Sequence, residues 1–237
     1  MALPPLASNA RNRLKRATSR AGPEPTSFSG VRPRPEPAAL GRRLERDDLP
    51  HETTALARAL IGKLLVRVYR GVTLAGRIVE TEAYFPADPA SHAFRGVTRR
   101  NRVMFGPPLH AYVYFIYGAN WCLNVTAEGE GIGAAALVRA CEPLLGLDRM
   151  RKLRGRDGLR DRDLARGPGN LCRAFGIGPK LDGEDLARSS ALWLADDGGV
   201  AEIGVSARIG VSKAADAPLR FYARGNLSVS GPRALSP

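Results

Sequence analysis

The chain has 237 residues, a formal net charge of +13 and an apolar fraction of 44%. This length fits one large domain or two small ones, and no apolar run approaches the roughly 20 residues that a membrane-spanning helix needs. The positive charge favours phosphate-bearing partners such as nucleic acids. A soluble protein from an arginine-rich proteome would show the same charge balance, so charge alone leaves both interpretations open.

The first 43 residues differ in composition from the rest. They hold seven of the 18 prolines, and nine basic residues against two acidic ones. Such a segment cannot bury enough apolar surface to offset its ordering entropy, so we expect residues 1–43 to form a disordered tail. The simpler interpretation is a basic arm that adds non-specific DNA affinity, and the alternative is a mitochondrial transit peptide. The folded domain is expected over residues 44–237.

The first predicted elements of that domain are a short helix and two strands. Thr53 or Thr54 is placed to cap the helix, which ends at Gly62. Residues 63–69 and 74–84 are rich in β-forming residues and predict strands. A long loop with several prolines and arginines follows, and long loops in compact domains are often functional.

A hairpin and two helices come next. Residues 111–117 and 121–126 flank a short Gly-Ala-Asn connection, a pattern that predicts a β-hairpin. Residues 134–140 predict another strand, and Pro143 stands where a helix could begin, ahead of Leu147 and Met150 at helical spacing.

The remaining elements predict a second helix and three strands. Gly-Pro-Gly-Asn at 167–170 precedes the helix, which carries Leu171, Ala174 and Phe175. Short strands are expected near residues 191–194, 205–211 and 219–224. The pattern predicts an α+β fold: a single domain with a curved antiparallel sheet or partial barrel, flanked by helices.

One strand gathers carboxylates and a phenol on a single face. Because alternate residues of a strand share a face, Glu80, Glu82 and Tyr84 point the same way. Such a face is either a solvated surface or a chemical site. The odd number of cysteines, Cys122, Cys141 and Cys172, argues against a disulfide framework and fits a reducing cytoplasm.

Three of the six tyrosines lie in a single stretch of six residues, 112–117, in the predicted hairpin. Tyr112 and Tyr114 share one strand face and form either a half-buried aromatic stripe or a wall on which a base stacks. Tyr117 falls at the hairpin tip, where a large aromatic side chain is placed to act as a wedge in a DNA stack.

These motifs, together with several others in the same order, resemble the alkyladenine (3-methyladenine) DNA glycosylase family. The segments that carry the resemblance are residues 77–84 (RIVETEAY), 100–105 (RNRVMF), 112–118 (YVYFIYG), 137–143 (LVRACEP) and 218–222 (PLRFY). The similarity extends, with gaps, from about residue 49 to 230. It implies a core like the C-terminal domain of methionyl-tRNA formyltransferase, with the β-hairpin inserted into DNA.

The resemblance implies a monofunctional enzyme that flips a damaged purine out of duplex DNA and hydrolyses its N-glycosyl bond. The expected substrates are alkylated purines and, as a second substrate class, deaminated purines. Glu82 matches the general base that activates a water for attack on C1′. Arg139 matches the arginine that helps to hold this water, with a structural ion pair as the alternative. Ile209 matches the residue whose backbone carbonyl also holds it. No metal or organic cofactor is implied.

The resemblance also assigns a base pocket and DNA contacts. Tyr84, His92 and Tyr114 match the rings that sandwich the flipped base, and Asn124 matches the residue that disfavours guanine. Tyr117 matches the intercalating residue. Candidates for DNA backbone contacts are Arg99, Arg100, Arg102 and Arg220.

The expected partner is double-stranded DNA with damaged purines, and the expected form is a monomer in a bacterial cytoplasm, associated with the nucleoid. The sequence leaves two alternative functions to compare with this one. A non-catalytic nucleic-acid-binding module would not need a water-activating pair such as Glu82 and Arg139. A nucleosidase for free nucleosides would gain nothing from a basic surface and a hairpin wedge.

Overall fold

The computed structural model describes residues 40–116, 118–232 and 234, which form one mixed α/β domain. Nine strands in an antiparallel sheet and three α-helices make up the regular structure of this part of the chain. The predicted combination of an antiparallel sheet and flanking helices in a single domain is therefore confirmed. Residues 1–39 of the predicted tail, and Tyr117 at the hairpin tip, lie outside the described residues.

The strands are β1 (Arg42–Arg43), β2 (Leu64–Tyr69), β3 (Val72–Tyr84), β4 (Ala111–Ile116), β5 (Asn120–Thr126), β6 (Ala135–Leu145), β7 (Leu192–Asp196), β8 (Ile203–Ser206) and β9 (Arg220–Ala223). The helices are α1 (Thr53–Ala59), α2 (Leu147–Arg154) and α3 (Pro168–Phe175). Because β1 pairs with β7, the sheet begins before residue 44, where the sequence pattern places the domain boundary.

The long strand β3 organises the sheet. The strand order is β1-β7-β2-β3-β6-β5-β4, and β9 pairs with both β3 and β8. β6 lies along one edge of β3, while β2 and then β9 occupy the other edge. Register shifts in the β3–β6 ladder leave Val79 and Arg139 without a cross-strand partner. Bulges of this kind re-aim side chains, and here the bulge directs Arg139 toward Glu80 and Glu82.

Helix α1 covers the face of β3 opposite to the one that carries Glu80 and Glu82. Thr81 donates a hydrogen bond to the carbonyl of Ala57 at 2.7 Å, and Val79 and Ala83 are buried in the main hydrophobic core. With this face filled by apolar packing, the carboxylates of β3 lie on the face away from α1.

The start of α1 differs from the prediction. Its cap is Glu52, whose carboxylate accepts hydrogen bonds from the backbone N–H groups of Thr54 and Ala55. The prediction of Thr53 or Thr54 as the cap is wrong, because the N–H and hydroxyl groups of the buried Thr53 both donate to Glu128.

The start of α2 also differs from the prediction. Pro143 lies within β6, so the expected helix start at this residue is wrong. The helix begins at Leu147, after Gly146 with a φ of +78°. A side chain at Gly146 would run into Leu74, so the turn between strand and helix requires glycine. The predicted helix α3 is confirmed, and its three apolar residues are buried.

Candidate active site

Glu80 and Glu82 are both fully buried, although each carries a carboxylate. A solvated surface is therefore excluded for this face of β3. Burial of a charge is costly unless the charge is paired and hydrogen-bonded. The structure supplies two buried arginines, Arg139 from the β6 bulge and Arg220 from β9.

Glu80 is held on both of its oxygen atoms. Its Oε1 accepts from Nε of Arg139 at 2.9 Å and from Nε of Arg220 at 2.7 Å, and its Oε2 accepts from the backbone N–H of Ser230 at 2.7 Å. Burial alone would raise the pKa of Glu80, but the two guanidinium groups outweigh it and hold this pKa below its ordinary value. Glu80 therefore stays an anion and fixes the position of Arg139.

Glu82 has a different set of partners. Its Oε1 accepts from the backbone N–H of Ile209 at 2.8 Å, and its Oε2 accepts from the hydroxyl of Tyr84 at 2.8 Å and from Nη1 of Arg139 at 3.2 Å. A carboxylate offers about four acceptor positions. Three are occupied, so Glu82 retains one position that can accept from a water molecule.

Arg139 joins the two carboxylates to the chain segment after β8. Its Nη1 also lies 3.5 Å from the carbonyl oxygen of Ile209. Burial opposes the charged guanidinium, but Glu82 and Glu80 outweigh it and raise the pKa of Arg139. The structure thus brings together the three residues to which the resemblance assigns the chemistry, Glu82, Arg139 and Ile209. Arg139 also forms the ion pairs that are its alternative role.

A cavity of about 620 Å³ opens beside this cluster. Its lining includes Tyr84, His92, Tyr112, Tyr114, Asn124 and Arg139. Glu82 does not contribute to the lining, but its partners Tyr84, Arg139 and Ile209 do. The carboxylate therefore lies one hydrogen bond behind the cavity wall, and a volume of this size suits a ligand as large as a purine.

His92 is built into an aromatic group. A hydrogen bond of 3.0 Å joins its Nδ1 to the hydroxyl of Tyr112, and its ring lies edge-on to Tyr114 with the ring centroids 4.4 Å apart. Partial burial among these rings, followed by the nearby Arg100, lowers the pKa of His92, which favours the neutral imidazole. Burial raises the pKa of both tyrosines, so their hydroxyls stay protonated.

Tyr84 connects the cavity wall to the carboxylate. Burial, and then the adjacent Glu82, raise the pKa of this phenol, so it remains a hydrogen-bond donor. The guanidinium of Arg208 lies over its ring, 4.6 Å from the centroid. Arg208 is itself buried and pairs with both oxygens of Asp88. The sequence predicts a strand that continues to residue 211, but β8 ends at Ser206. The inward turn of Arg208 explains this earlier end.

Asn124 lies directly opposite Tyr112 in the β4–β5 ladder and is almost fully buried. Its Nδ2 donates to the carbonyl of Tyr112 at 3.1 Å, and the residue lines the cavity. The structure therefore places all four residues predicted for the pocket, including Tyr84, His92 and Tyr114, on one cavity.

The prediction that Arg220 contacts the DNA backbone is wrong. Its side chain is fully buried, and its guanidinium donates to Glu80, to the hydroxyl of Ser206 and to the carbonyl of Ser230. A phosphate at the protein surface cannot reach it. Arg220 instead helps to hold the carboxylate cluster together.

The other three arginines proposed for backbone contact, Arg99, Arg100 and Arg102, are exposed. Arg100 donates to the carbonyl of Phe115 at 2.6 Å, and its guanidinium lies 5.7 Å from the ring centroid of Tyr114. It is thus tied to the hairpin strand that leads to Tyr117, which itself lies outside the described part of the chain.

Sequence reasoning missed three residues of this region. The family resemblance assigns no role to Tyr112, although its place on the same strand face as Tyr114 indicates that it reaches the same pocket. The Arg208–Asp88 pair joins residues 120 positions apart, and no local pattern announces it.

Within the described residues, no group of three or more His, Cys, Asp or Glu side chains could hold a metal ion. The three cysteines are free and buried. No helix in the described ranges is both long and apolar enough to cross a membrane.

Comparison with known proteins decides the family. The pattern of the methylpurine-DNA glycosylase family matches residues 47–227. The chain belongs to this family. Its relatives include proteins provisionally named 3-methyladenine DNA glycosylase from Mesorhizobium japonicum, 54% identical over 81% of this chain and 92% of the relative, and from Paraburkholderia phytofirmans, 49% identical over 81% and 90%. One from Carboxydothermus hydrogenoformans is 46% identical over 79% and 98%.

As a methylpurine-DNA glycosylase, the protein is a DNA-repair enzyme of the alkylpurine class, and its substrate is DNA. The match includes the Glu80–Glu82 strand, the hairpin and the segment after β8, so it covers every residue of the carboxylate cluster except Ser230. The non-catalytic binding module is not favoured by these relatives.

Proposed function

We propose that this methylpurine-DNA glycosylase is monofunctional: it hydrolyses the N-glycosyl bond of an alkylated purine in duplex DNA and leaves an abasic site. The observation that carries the proposal is the position of Glu82 directly behind Arg139 and Ile209, which line an aromatic cavity. An aromatic cavity takes a base, and a hydrogen-bonded carboxylate serves hydrolysis at the sugar.

In this proposal the damaged base leaves the DNA stack and enters the cavity. Tyr84, His92 and Tyr114 supply electron-rich rings, and base–aromatic stacking contributes roughly 1–3 kcal/mol per base. Because an alkylated purine can carry a positive charge, cation–π attraction favours it over an undamaged base. The buried Asn124 restricts the cavity against the 2-amino group of guanine, since an unpaired buried polar group is costly.

The free acceptor position of Glu82 would hold the attacking water, with Arg139 and the carbonyl of Ile209 completing its contacts. Glu82 removes a proton as the water oxygen bonds to C1′, and the bond from C1′ to the base breaks with its electron pair going to the base. A cationic alkylated base is a good leaving group, so no second carboxylate acid is needed. Of the three partners of Glu80, only Arg139 lines the cavity, so Glu80 acts by positioning Arg139.

The hairpin between β4 and β5 would enter the DNA and fill the space that the flipped nucleotide leaves, with Tyr117 as the wedge. Arg99, Arg100 and Arg102 would contact phosphates and set the position of the duplex without reading its sequence. The expected monomeric state, the cytoplasmic location, the activity on deaminated purines and the non-specific DNA affinity of residues 1–43 belong to the same proposal.

The proposal is tested by incubating the protein with duplexes that hold a single 3-methyladenine, ethenoadenine or hypoxanthine. We expect release of the free base and strand cleavage that appears only after alkali, because the enzyme makes an abasic site without breaking the strand. Cleavage without alkali would contradict the monofunctional assignment. Failure to release any of these bases would contradict the proposed reaction.

A further inference from the structure

A second cleft, of about 470 Å³, lies beside the candidate active site. One side carries three arginines, Arg160, Arg162 and Arg166, from the segment between α2 and α3. The other side is the turn of residues 225–232 that follows β9. We call this feature the arginine cleft. None of its three arginines has a role in the reaction proposed above.

The arginine cleft carries an excess of positive charge. Asp163 is the acidic partner of its arginines: Nε of Arg160 donates to it at 2.8 Å, and Arg166 lies 3.7 Å from it. Arg166 also donates to the carbonyl of Val229 at 2.8 Å, which fixes it against the turn. The guanidinium of Arg162 makes no hydrogen bond within the described residues, and the described lining of the cleft holds three arginines and no acidic residue.

The arginine cleft shares a wall with the carboxylate cluster, the group of side chains around Glu80 and Glu82. Ser230 lines the cleft, while its hydroxyl accepts from Nη2 of Arg139 at 3.4 Å and its N–H donates to Glu80. The next residue, Gly231, packs so closely on Ile209 that a Cβ would lie 2.5 Å from the side chain of Ile209. Ile209 in turn lines the base cavity, so residues 230 and 231 and Ile209 link the two openings directly.

We propose that the arginine cleft binds a phosphodiester group of the DNA strand that carries the excised base, with Arg162 as the main contact. The inference rests on the proposed function, because a base that fills the cavity brings its own strand to the adjacent surface. Successive phosphates of that strand flank the flipped sugar. Guanidinium groups bind such oxygens with short, charge-assisted and often bidentate hydrogen bonds.

The experiment measures the affinity of the full-length protein for a lesion-bearing duplex over a range of salt concentrations. Each phosphate contact contributes about 0.9 to the slope of log K against log salt. Arg162→Ala should therefore reduce the magnitude of this slope by about 0.9, the contribution of one phosphate contact, and weaken binding about tenfold. The base-release rate at saturating enzyme should stay at the wild-type value, because Arg162 does not touch the cavity.

Arg188→Ala is the matched control, since Arg188 is exposed but lies in the chain before β7 and not in the arginine cleft. It should leave both slope and affinity at wild-type values. Arg160→Ala provides a second cleft variant at a highly exposed side chain, in case Arg162→Ala does not fold. Equal slopes for the cleft variants and Arg188→Ala would overturn the proposal.

A series of duplexes, each with one neutral methylphosphonate at a different position of the lesion strand, locates the contact. The substitution at one position near the lesion should weaken binding by the wild type and cause no further loss in Arg162→Ala. If every position weakens both proteins equally, the cleft does not bind this strand. Thermal melting with inorganic phosphate tests a free anion as the ligand. If phosphate stabilises the wild type but not Arg162→Ala, and the two proteins bind DNA equally well, the proposal would also be overturned.

These binding measurements are independent of the base-release assay. If wild-type protein binds the duplex with the predicted salt dependence but releases no base, the proposed function fails and the phosphate site stands. If it releases base but Arg162→Ala changes nothing in binding, only the phosphate site fails.

Discussion

Glu82→Gln is expected to lower the base-release rate by at least about 100-fold, because it removes the carboxylate whose partners Tyr84, Arg139 and Ile209 all line the cavity. The rate should be measured in a single turnover with enzyme in excess, so that product release does not enter. Binding to undamaged duplex DNA should remain close to wild type. A near-normal rate would contradict the role of Glu82.

The amide also tests the hydrogen bonds around Glu82. Both of its oxygens accept from N–H or O–H donors, so the NH₂ group of glutamine must face a donor at Ile209 or at Arg139 and Tyr84. One buried donor then loses its partner, at a cost of about 1–3 kcal/mol. Melting temperatures must therefore accompany the rates, and Glu82→Asp supplies a variant that keeps the charge.

A suitable control for Glu82→Gln is Glu130→Gln, at an exposed carboxylate in the turn before β6. It should release base at the wild-type rate and melt at the wild-type temperature. A similar loss in both variants would mean that net charge, and not the position of Glu82, determines the rate.

Arg220→Met should destabilise the fold by about 3–5 kcal/mol, because it leaves the buried Glu80 with one guanidinium in place of two. Methionine fills part of the space of the arginine stem but provides no donor for the carboxylate. The free energy of unfolding in urea measures the effect. We expect Glu80→Gln combined with Arg220→Met to recover part of the loss, since the remaining amide is neutral.

Arg224→Met is the matched control, because Arg224 directly follows the same strand but is exposed, with a surface ion pair to Glu202. Surface pairs of this kind contribute about 0–1 kcal/mol. If Arg220→Met cost no more than Arg224→Met, the carboxylate cluster would not depend on Arg220, and its burial would need another explanation.

Much of the site follows from local patterns in the sequence. Strand alternation alone places Glu80 and Glu82 on one face, and it places Tyr112 and Tyr114 on another shared face. The structure bears out both pairings. Tyr114 and His92 then meet on one cavity because the hairpin strand and the preceding loop pack together.

The remaining features depend on partners that are distant in sequence. Arg220 reads as a surface arginine until Glu80, 140 positions away, is known to be its partner. The capping preference of Thr53 is likewise overridden by Glu128, which takes both of its donors. Pro143 is tolerated in β6 where the β3–β6 register is irregular, and no local rule places that irregularity.

The central claim is that Glu82 acts on the water that attacks C1′, where its negative charge also stabilises the positive charge that develops as the base leaves. It is tested most directly by binding two duplexes, one with a cationic pyrrolidine and one with a neutral tetrahydrofuran in place of the lesion sugar. The wild-type protein should bind the cationic analogue at least about 100-fold more tightly, as expected for a transition-state mimic, and Glu82→Gln should lose most of this preference. Equal affinity of the wild type for both duplexes, or an unchanged preference in Glu82→Gln, would contradict the claim.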